Sequence, residues 1–578
     1  MTNTIDLAQA FLVPKNTAHR QYEALRAFYV EKLASEQVAQ RFGYSDGAFR
    51  NLRHQFRCDP DRQFFINSTR KHKRTEKKNS ARETIIELRK RNLSIYDISD
   101  TLKREKDISL SPAAVSLILN QQGFARLPRR KDDERPEFTR AERAAVSDAR
   151  QFDLSPQTFR TDFGGLFLFL PYLGQMPFEQ IVQSAGLPGS KMIPAAHALR
   201  ALLALKLFGN ARHSHVMSYV FDKGLGMFAG LNEIPKRSFL TEYSCRVPPQ
   251  CHGKLMNRWF DAVGKLGLQR GQSLDLDFHT IPYHGDDALM QKHYVSKRSR
   301  RQKGVLAFLA RDADQLVFCY ANSDIGKGQQ NDEILKFVSF WKKRTGKLPQ
   351  ELVFDSKLTT YNNLNILNTQ HIRFITLRRR SAQMLDQINA TPRSAWRRIE
   401  LENVTREYRT PRIIDKRIEL KGYDAPIRQI AIADLGHEQP TFLLTNQLNR
   451  SAATLVGRYA HRMLIENGIA DGIDFFHMDA LSSAVALKIN IDLQLTLMAS
   501  SLYRLLGIQL GHGYEKAKSR HIFRDFIEAS ALVTVTRSSV DVRFQKRAHN
   551  PFLFKAGFDR VDQPIAWWRR KRLRFTLG

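Results

Sequence analysis

Two aspartates one residue apart, Asp275 and Asp277, sit in the stretch Ser-Leu-Asp-Leu-Asp-Phe at 273–278. Leu274, Leu276 and Phe278 alternate with them, and alternation at period two marks a half-buried strand with both carboxylates on its other face. Two acids side by side need an opposing positive charge. Further acids point to metal ions as that charge. Asp355 ends the apolar run Glu-Leu-Val-Phe-Asp (351–355). Glu466 lies in Arg-Tyr-Ala-His-Arg-Met-Leu-Ile-Glu (458–466), where Tyr459, Arg462 and Glu466 fall at i, i+3 and i+7 and line one face of an expected helix. Asp275 competes with Asp277, and Asp471, Asp474 and Asp479 compete with Glu466. Carboxylates gathered from separate elements hold divalent ions, and two such ions about 4 Å apart stabilise the attacking and leaving oxygens of an in-line displacement at phosphorus.

The elements that must position these acids follow in order. After the 273–280 strand and a basic stretch (292–304), 305–310 and 315–321 read as two more strands joined by a short turn, a meander. Residues 331–344 form an amphipathic helix, 351–357 an apolar strand ending in Asp355, and 361–370 a helix. Residues 372–379 form another strand. Three strands, a helix and a strand ending in aspartate match the ribonuclease-H-like order. That order sets the first and fourth strands side by side, so that Asp277 and Asp355 meet at one end of the sheet.

On these residues the chain resembles an insertion-sequence DDE transposase, of the group with Tyr-x2-Arg-x3-Glu-x6-Lys around the catalytic glutamate. Tyr459, Arg462 and Glu466 match in type and spacing; Ile473 stands where the signature has lysine. The segment Val-Phe-Asp-Ser-Lys-Leu-Thr-Thr-Tyr (353–361) is similar to the family's second-aspartate region. Asp-Phe-His-Thr-Ile (277–281) is similar to its first, where a threonine soon follows the acid and so favours Asp277. The family interrupts its catalytic core with a β-rich insert, and 413–420, 427–433 and 441–446 alternate as strands in that interval. The resemblance covers roughly 150 to 530. It implies Asp277, Asp355 and Glu466 as catalytic and metal-holding residues for Mg²⁺, with Mn²⁺ able to substitute. Asp277 would bridge two ions. Water would be the first nucleophile and a freed DNA 3′-hydroxyl the second. Tyr459 and Arg462 would contact the phosphate of the transferred end. A cation from 296–303, with Arg300 and Arg301 in it, would stand in for the lysine missing at 473. Two alternatives remain: a retained relative that binds DNA without strand transfer, and a metal-dependent nuclease.

Composition agrees with a polyanionic partner. The 578 residues carry 91 Lys and Arg against 58 Asp and Glu, a formal charge of +33, and nucleic acid is the default polyanion. Hydrophobic content of 42% supports real cores. Four cysteines without a CxxC pair support neither a disulfide framework nor a zinc finger. No secretory signal is visible. The apolar run at 489–510 carries Asp492 and Arg504 and suits a buried helix, so an intracellular, nucleoid-associated protein with no membrane contact is expected.

Residues 35–56 have helix-turn-helix spacing. Val38, Ala39 and Phe42 face inward, Gly43 sits at the turn, and Ser45 or Asp46 caps a second helix. On that helix Phe49 and Leu52 pack, and Arg50, Asn51, Arg53 and His54 are left for DNA. A second copy follows at 93–130, beyond a basic linker at 69–78. The fold class expected is multidomain: tandem all-α helix-turn-helix units, then an α/β ribonuclease-H-like core interrupted by a β-rich insert. The expected boundaries are 1–68 and 79–130 for the two DNA-binding units and 150–265 for a helical domain. The core takes 266–380 and 451–530, the insert 381–450, and a hairpin with a basic aromatic tail 531–578. The tail residues either stack on nucleic acid or dock a final strand. Partners would be double-stranded DNA, at element ends and target, with a dimer or higher oligomer assembled on it.

Overall fold

The computed structural model describes residues 9–14, 16–65, 81–127, 146–268, 271–282, 292–295, 300–326, 328–355, 360–402, 409–435, 438–479 and 486–578. It divides into two compact units, Met1–Ala144 and Ala145–Gly578.

The first unit holds two helical clusters. In the first, α1 (Thr17–Tyr29), α2 (Ser35–Phe42) and α3 (Asp46–Cys58) enclose Leu25, Val38, Phe42, Phe49 and Leu52. Gly43 ends α2 with φ of 66°, a left-handed conformation that glycine adopts without a Cβ clash. Ser45, not Asp46, is the cap: its side chain accepts from the Ala48 N–H. In the second cluster, α4 (81–90), α5 (Ile95–Lys106) and α6 (Pro112–Gln121) enclose Ile85, Leu88, Ile98, Leu102, Val115 and Leu119. Ser94 and Asp97 form a reciprocal capping box, and Ser111 caps α6 with Pro112 at its first position. Here a helix at 81–90, absent from the sequence reading of the second copy, completes the core. The expected basic linker at 69–78 lies outside the described residues, as does most of the basic run after Arg126.

The second unit is built on one large sheet. Its first strands are β2 (Ser273–Pro282), β4 (Arg300–Asp312) and β5 (Val317–Asn322), with β3 (Lys292–Val295) paired to the start of β4. Helix α7 (Glu333–Thr345) leads to β6 (Glu351–Phe354), and α8 (Tyr361–Thr369) to β7 (Arg373–Leu377). The strands lie in the order β5-β4-β2-β6-β7. β4 runs antiparallel to both its neighbours, whereas β6 and β7 run parallel to β2.

The β-rich interval does not stand apart. β11 (Thr441–Thr445) pairs antiparallel with β7, and β10 (Tyr423–Ala433), β9 (Arg412–Leu420) and β8 (Arg397–Arg398) continue from it. It extends the same sheet because β7 would otherwise be an open edge with unpaired backbone groups. Helix α9 (Ala382–Asn389) packs Ile388 on Ala431 and Phe442.

One face of the sheet carries Leu274, Leu276, Leu352, Phe354 and Phe374, which join the main core with Phe337 and Trp341 of α7. The other carries Val353, Ile375, Ile430 and Leu443, which pack on Ala452, Leu455 and Val456 of α10 (Ala452–Arg462). Asp275 pairs with Val353 in the β2–β6 register, so both aspartates of β2 lie on the face that α10 covers.

The region 150–265 is not an independent helical domain. It contains a strand, β1 (Gln157–Thr161), which pairs with β12 (Ala531–Val535) across some 370 residues of chain. With β13 (Ser539–Phe544), β15 (Arg572–Leu577) and β14 (Gln563–Pro564) these make a second sheet in the order β1-β12-β13-β15-β14. Trp259, Trp568, Phe167 and Leu276 belong to one core cluster. The tail therefore docks a final strand: β15 runs parallel to β13, and the fully buried Trp568 donates its indole N–H to the Met227 carbonyl at 2.9 Å. The apolar run near 489–510 is a helix, α11 (Leu464–Asp474) preceding it and α12 (Ala486–Leu510) containing it. No helix among the described residues is long and apolar enough to cross a membrane.

Candidate functional site

Arg458 and Arg462 are four residues apart on α10, one turn and about 6 Å along the helix. Asp275 and Asp277 are two residues apart on β2, about 6.6 Å along the strand. The two spacings match, and each arginine meets one aspartate: Arg458 Nη2 to Asp275 Oδ1 at 2.6 Å and Arg462 Nη1 to Asp277 Oδ2 at 3.4 Å. Both acids thus have a protein cation opposite them, but the two pairs differ in character.

The Asp275 pair is a closed, buried network. Arg458 also reaches Glu351 of β6 at 3.2 Å and Ser273 at 2.8 Å, and Ser273 donates to Glu351 at 2.6 Å. Gln447 and Arg450 complete the shell of Glu351. Burial would raise the Glu351 carboxyl, but the Ser273 hydrogen bond, Arg458, Gln447 and Arg450 outweigh it and hold the group below its ordinary range. Asp275 itself is fully buried. These groups tie α10 to both β2 and β6, the strands that present Asp277 and Asp355.

The Asp277 pair is looser and shared. Arg462 also lies 3.6 Å from Glu466 Oε1, with its guanidinium 5.4 Å from the Tyr459 ring centroid. Asp277 follows Leu276, which pairs with Phe354, and Asp355 follows Phe354, so the two acids are neighbours at the ends of adjacent parallel strands. Burial pushes Asp277 up to about 6; Arg462 and the Phe278 N–H oppose the rise, and Glu466 and Asp355 add to it. Burial lowers Arg462, yet Tyr459, Asp277, Asp355 and Glu466 together raise it. Burial likewise drives the Tyr459 hydroxyl up. The five residues of the sequence reading therefore share one electrostatic field.

The helix carrying them is not continuous as expected. α10 ends at Arg462, and Met463 joins it to α11. At the junction the bonds tighten to i→i−3, with the Met463 N–H donating to Ala460 and the Glu466 N–H to Met463. Arg311 of β4 donates to the Leu464 carbonyl there. Glu466 stays within reach of Arg462, and its side chain is 54% exposed. α11 continues through both glycines to Asp474. A Cβ at Gly468 would stand 3.3 Å from the Phe318 ring, so glycine lets α11 approach β5 closely. Ile473 is half-buried and packed on the main core.

Other expected residues are placed differently. Arg301 is exposed on β4. Leu309 of that strand pairs with Asp277; eight residues separate it from Arg301, about 26 Å along an extended strand. Arg300 lies one residue further out, and its side chain is outside the described ones. Arg301 is not brought to the carboxylates. Arg50, Asn51 and His54 are exposed on α3, but Arg53 turns inward: it donates to Ser35 Oγ at 3.0 Å and stacks 4.0 Å over Phe28. Asp471 accepts from the Ser519 N–H and hydroxyl, at 2.6 Å for the latter, and Asp479 pairs with His279 at 2.8 Å. Sequence reading missed Arg458 and Glu351. The signal was there, since Arg458 precedes Arg462 by one turn as Asp275 precedes Asp277 by one strand repeat.

The donor set suits a hard divalent cation. All its side-chain donors are carboxylate oxygens, and mutual repulsion among Asp277, Glu466 and Asp355 contributes to the raised Asp277. Among the described residues no group of three or more ligating side chains is gathered as a ready metal site; Arg462 stands between Asp277 and Glu466. Compared with known proteins, the sequence matches no protein-family model and no curated protein at a significant level.

Proposed function

We propose that this chain is a DNA transposase: it binds the ends of its element through the helical unit 1–144 and cuts and rejoins DNA strands at Asp277, Asp355 and Glu466. The observation that carries this reading is the meeting of Asp277 and Asp355 on adjacent parallel strands beneath the helix of Tyr459 and Arg462. The strand order β5-β4-β2-β6-β7, with only β4 reversed, is the order expected of a ribonuclease-H-like core.

Asp277, Asp355 and Glu466 would hold Mg²⁺. The bound ions would polarise the phosphodiester and stabilise the oxygens that attack and leave. The chain's own residues do the rest. Arg462, drawn from its loose pairs by a phosphate, supplies a planar donor fork suited to phosphate oxygens. Tyr459, held beside it, orients that fork. Arg458, locked on Asp275 and Glu351, fixes the register of α10 so that both face the reacting strand. In the helical unit, Arg50 and Asn51 are free to read base edges from α3 in a helix-turn-helix manner; Arg53 serves the fold instead.

Incubation of the full chain with the DNA flanking its gene and Mg²⁺ tests the proposal. Cleaved ends and joined products are expected. Asp277→Ala, Asp355→Ala and Glu466→Ala should each abolish both while leaving DNA affinity nearly intact. Near-normal cleavage by any one of these variants removes that residue from the site, and cleavage indifferent to metal removes the mechanism. The reading of a DNA-binding relative without strand transfer draws on Ile473, whose packing on the core supplies no cation to the site; binding without any product would favour it.

A further inference from the structure

The outward face of the small sheet β1-β12-β13-β15-β14 lies outside the candidate site. Its strands alternate, except at the start of β13, where Ser539 is buried beside Val540. Val533, Val535, Val540, Val542, Leu573 and Phe575 point into the main core. The register then fixes what points out. One row across four strands reads Arg160, Leu532, Arg543, Thr576; the next reads Thr158, Thr534, Asp541, Arg574; Arg572 follows opposite Ser539. Arg160, Arg543, Arg572 and Arg574 are all exposed.

A merely solvated sheet face mixes both signs and leans on lysine. Here every cation on the outward strand positions is arginine, and one acid stands among them. That acid, Asp541, is occupied by the Ser539 hydroxyl at 2.7 Å. Asp562 holds Arg572 and Arg574 together at 2.7 and 3.0 Å. Arg160 and Arg543 form no ion pair among the described residues. They stand in one row two strands apart, about 10 Å, and Arg572 and Arg574 are about 7 Å apart along β15. Rigid strands therefore hold planar, bidentate phosphate donors at separations that reach different phosphates. Between Arg160 and Arg543 stands the exposed Leu532, and in the next row the Thr158 hydroxyl donates to Thr534 Oγ1. The sheet is anchored by buried Trp568 and by β15, so the spacing is fixed before any partner arrives.

We propose that this face is a docking surface for a nucleic-acid backbone, engaged through Arg160, Arg543 and Arg574 without reading sequence. It shares its class of partner with the proposed function but does not depend on the chemistry at Asp277. Its task is to hold a stretch of duplex that the helical unit does not select.

The test uses the full chain and a labelled duplex of arbitrary sequence, with affinity measured across salt concentration. Each phosphate contact contributes about −0.9 to the slope of log K against log salt. The double variant Arg160→Gln/Arg543→Gln should flatten the slope by about 2 and lower affinity at least about tenfold at low salt. Lys342→Gln/Lys343→Gln, exposed on α7, removes the same charge elsewhere and should change little. Arg160→Lys/Arg543→Lys should keep the slope and lose part of the affinity, since lysine lacks the bidentate fork. All are outward positions, so unaltered thermal melting is expected. Equal effects of the Arg and Lys doubles, or none from either, overturn the proposal; an acidic protein as the true occupant gives that second result. Asp277→Ala in the same assay should bind normally and fail only in cleavage, so failure of the surface and failure of the chemistry read out separately.

Discussion

Asp275 and Asp277 look equivalent in the chain, and their surroundings give them opposite effects on stability. Asp277 has a folded value of about 6 against an ordinary 3.8. As pH rises from about 4 to about 6, the unfolded chain releases this proton before the folded one does, so the native state loses stability over that window and stays penalised above it. Asparagine does not titrate. Asp277→Asn should therefore stabilise the metal-free protein by about 1–3 kcal/mol at neutral pH, the upper figure being the full shift of about two units and the lower allowing for the partner that Arg462 loses. The gain should shrink as pH falls from 6 and vanish near 4. Asp275→Asn goes the other way. It leaves Arg458 facing a neutral group in a buried network and should cost about 3–5 kcal/mol. Thermal melts of both variants between pH 4 and 7.5 check this; destabilisation by Asp277→Asn at neutral pH would remove the strain that marks it as the functional acid.

Helix α11 decides what Ile473 does. It runs unbroken from Leu464 to Asp474, and Ile473 packs on the main core rather than standing free beside Glu466. Lysine there would trade packing for a charge that must snorkel outward. Ile473→Lys should change strand transfer by less than about tenfold, or 1.4 kcal/mol, and should lower the melting temperature. A large gain in joined product would mean that the wild-type site lacks a phosphate contact. Much of this arrangement was legible in the chain. β2, β4 and β5 were legible because period-two alternation is a local property, and the site acids because motif spacing is too. The break at Met463 was not; the neighbouring Leu464 carbonyl accepts there from Arg311, on a strand some 150 residues earlier, which no local window contains. Nor was the role of Arg53, which the Phe28 ring and Ser35 on two other helices decide. β1 is only five residues long and takes its pairing from the far end of the chain, so no local window contains the information that makes it a strand.

The whole chain divides unevenly, and the two ends should respond differently to removal. Residues 1–144 form their own unit with two apolar clusters. Among the described residues, the core of the second unit is built from Phe152 onward. A fragment of 145–578 should fold, keep metal-dependent nicking of arbitrary duplex, and lose protection of the element's ends in a footprint. Equal footprints from the fragment and the full chain would remove end recognition from the helical unit. The other end allows no such cut. Deleting 531–578 strips β12 from β1 and takes Val533, Val542, Phe575 and Trp568 out of the same core that holds Phe167 and Leu276, leaving their apolar neighbours uncovered. That product should be insoluble. A single substitution gives the graded form of the test: Trp568→Ala empties a fully buried indole site and also leaves the Met227 carbonyl without its donor. It should cost about 3–5 kcal/mol, lowering the melting temperature of the 145–578 unit by calorimetry of the full chain while leaving the transition of the helical unit in that same chain unchanged. A loss under about 1 kcal/mol would mean that the tail is an appendage, and that the large sheet carrying Asp277 is stable without it.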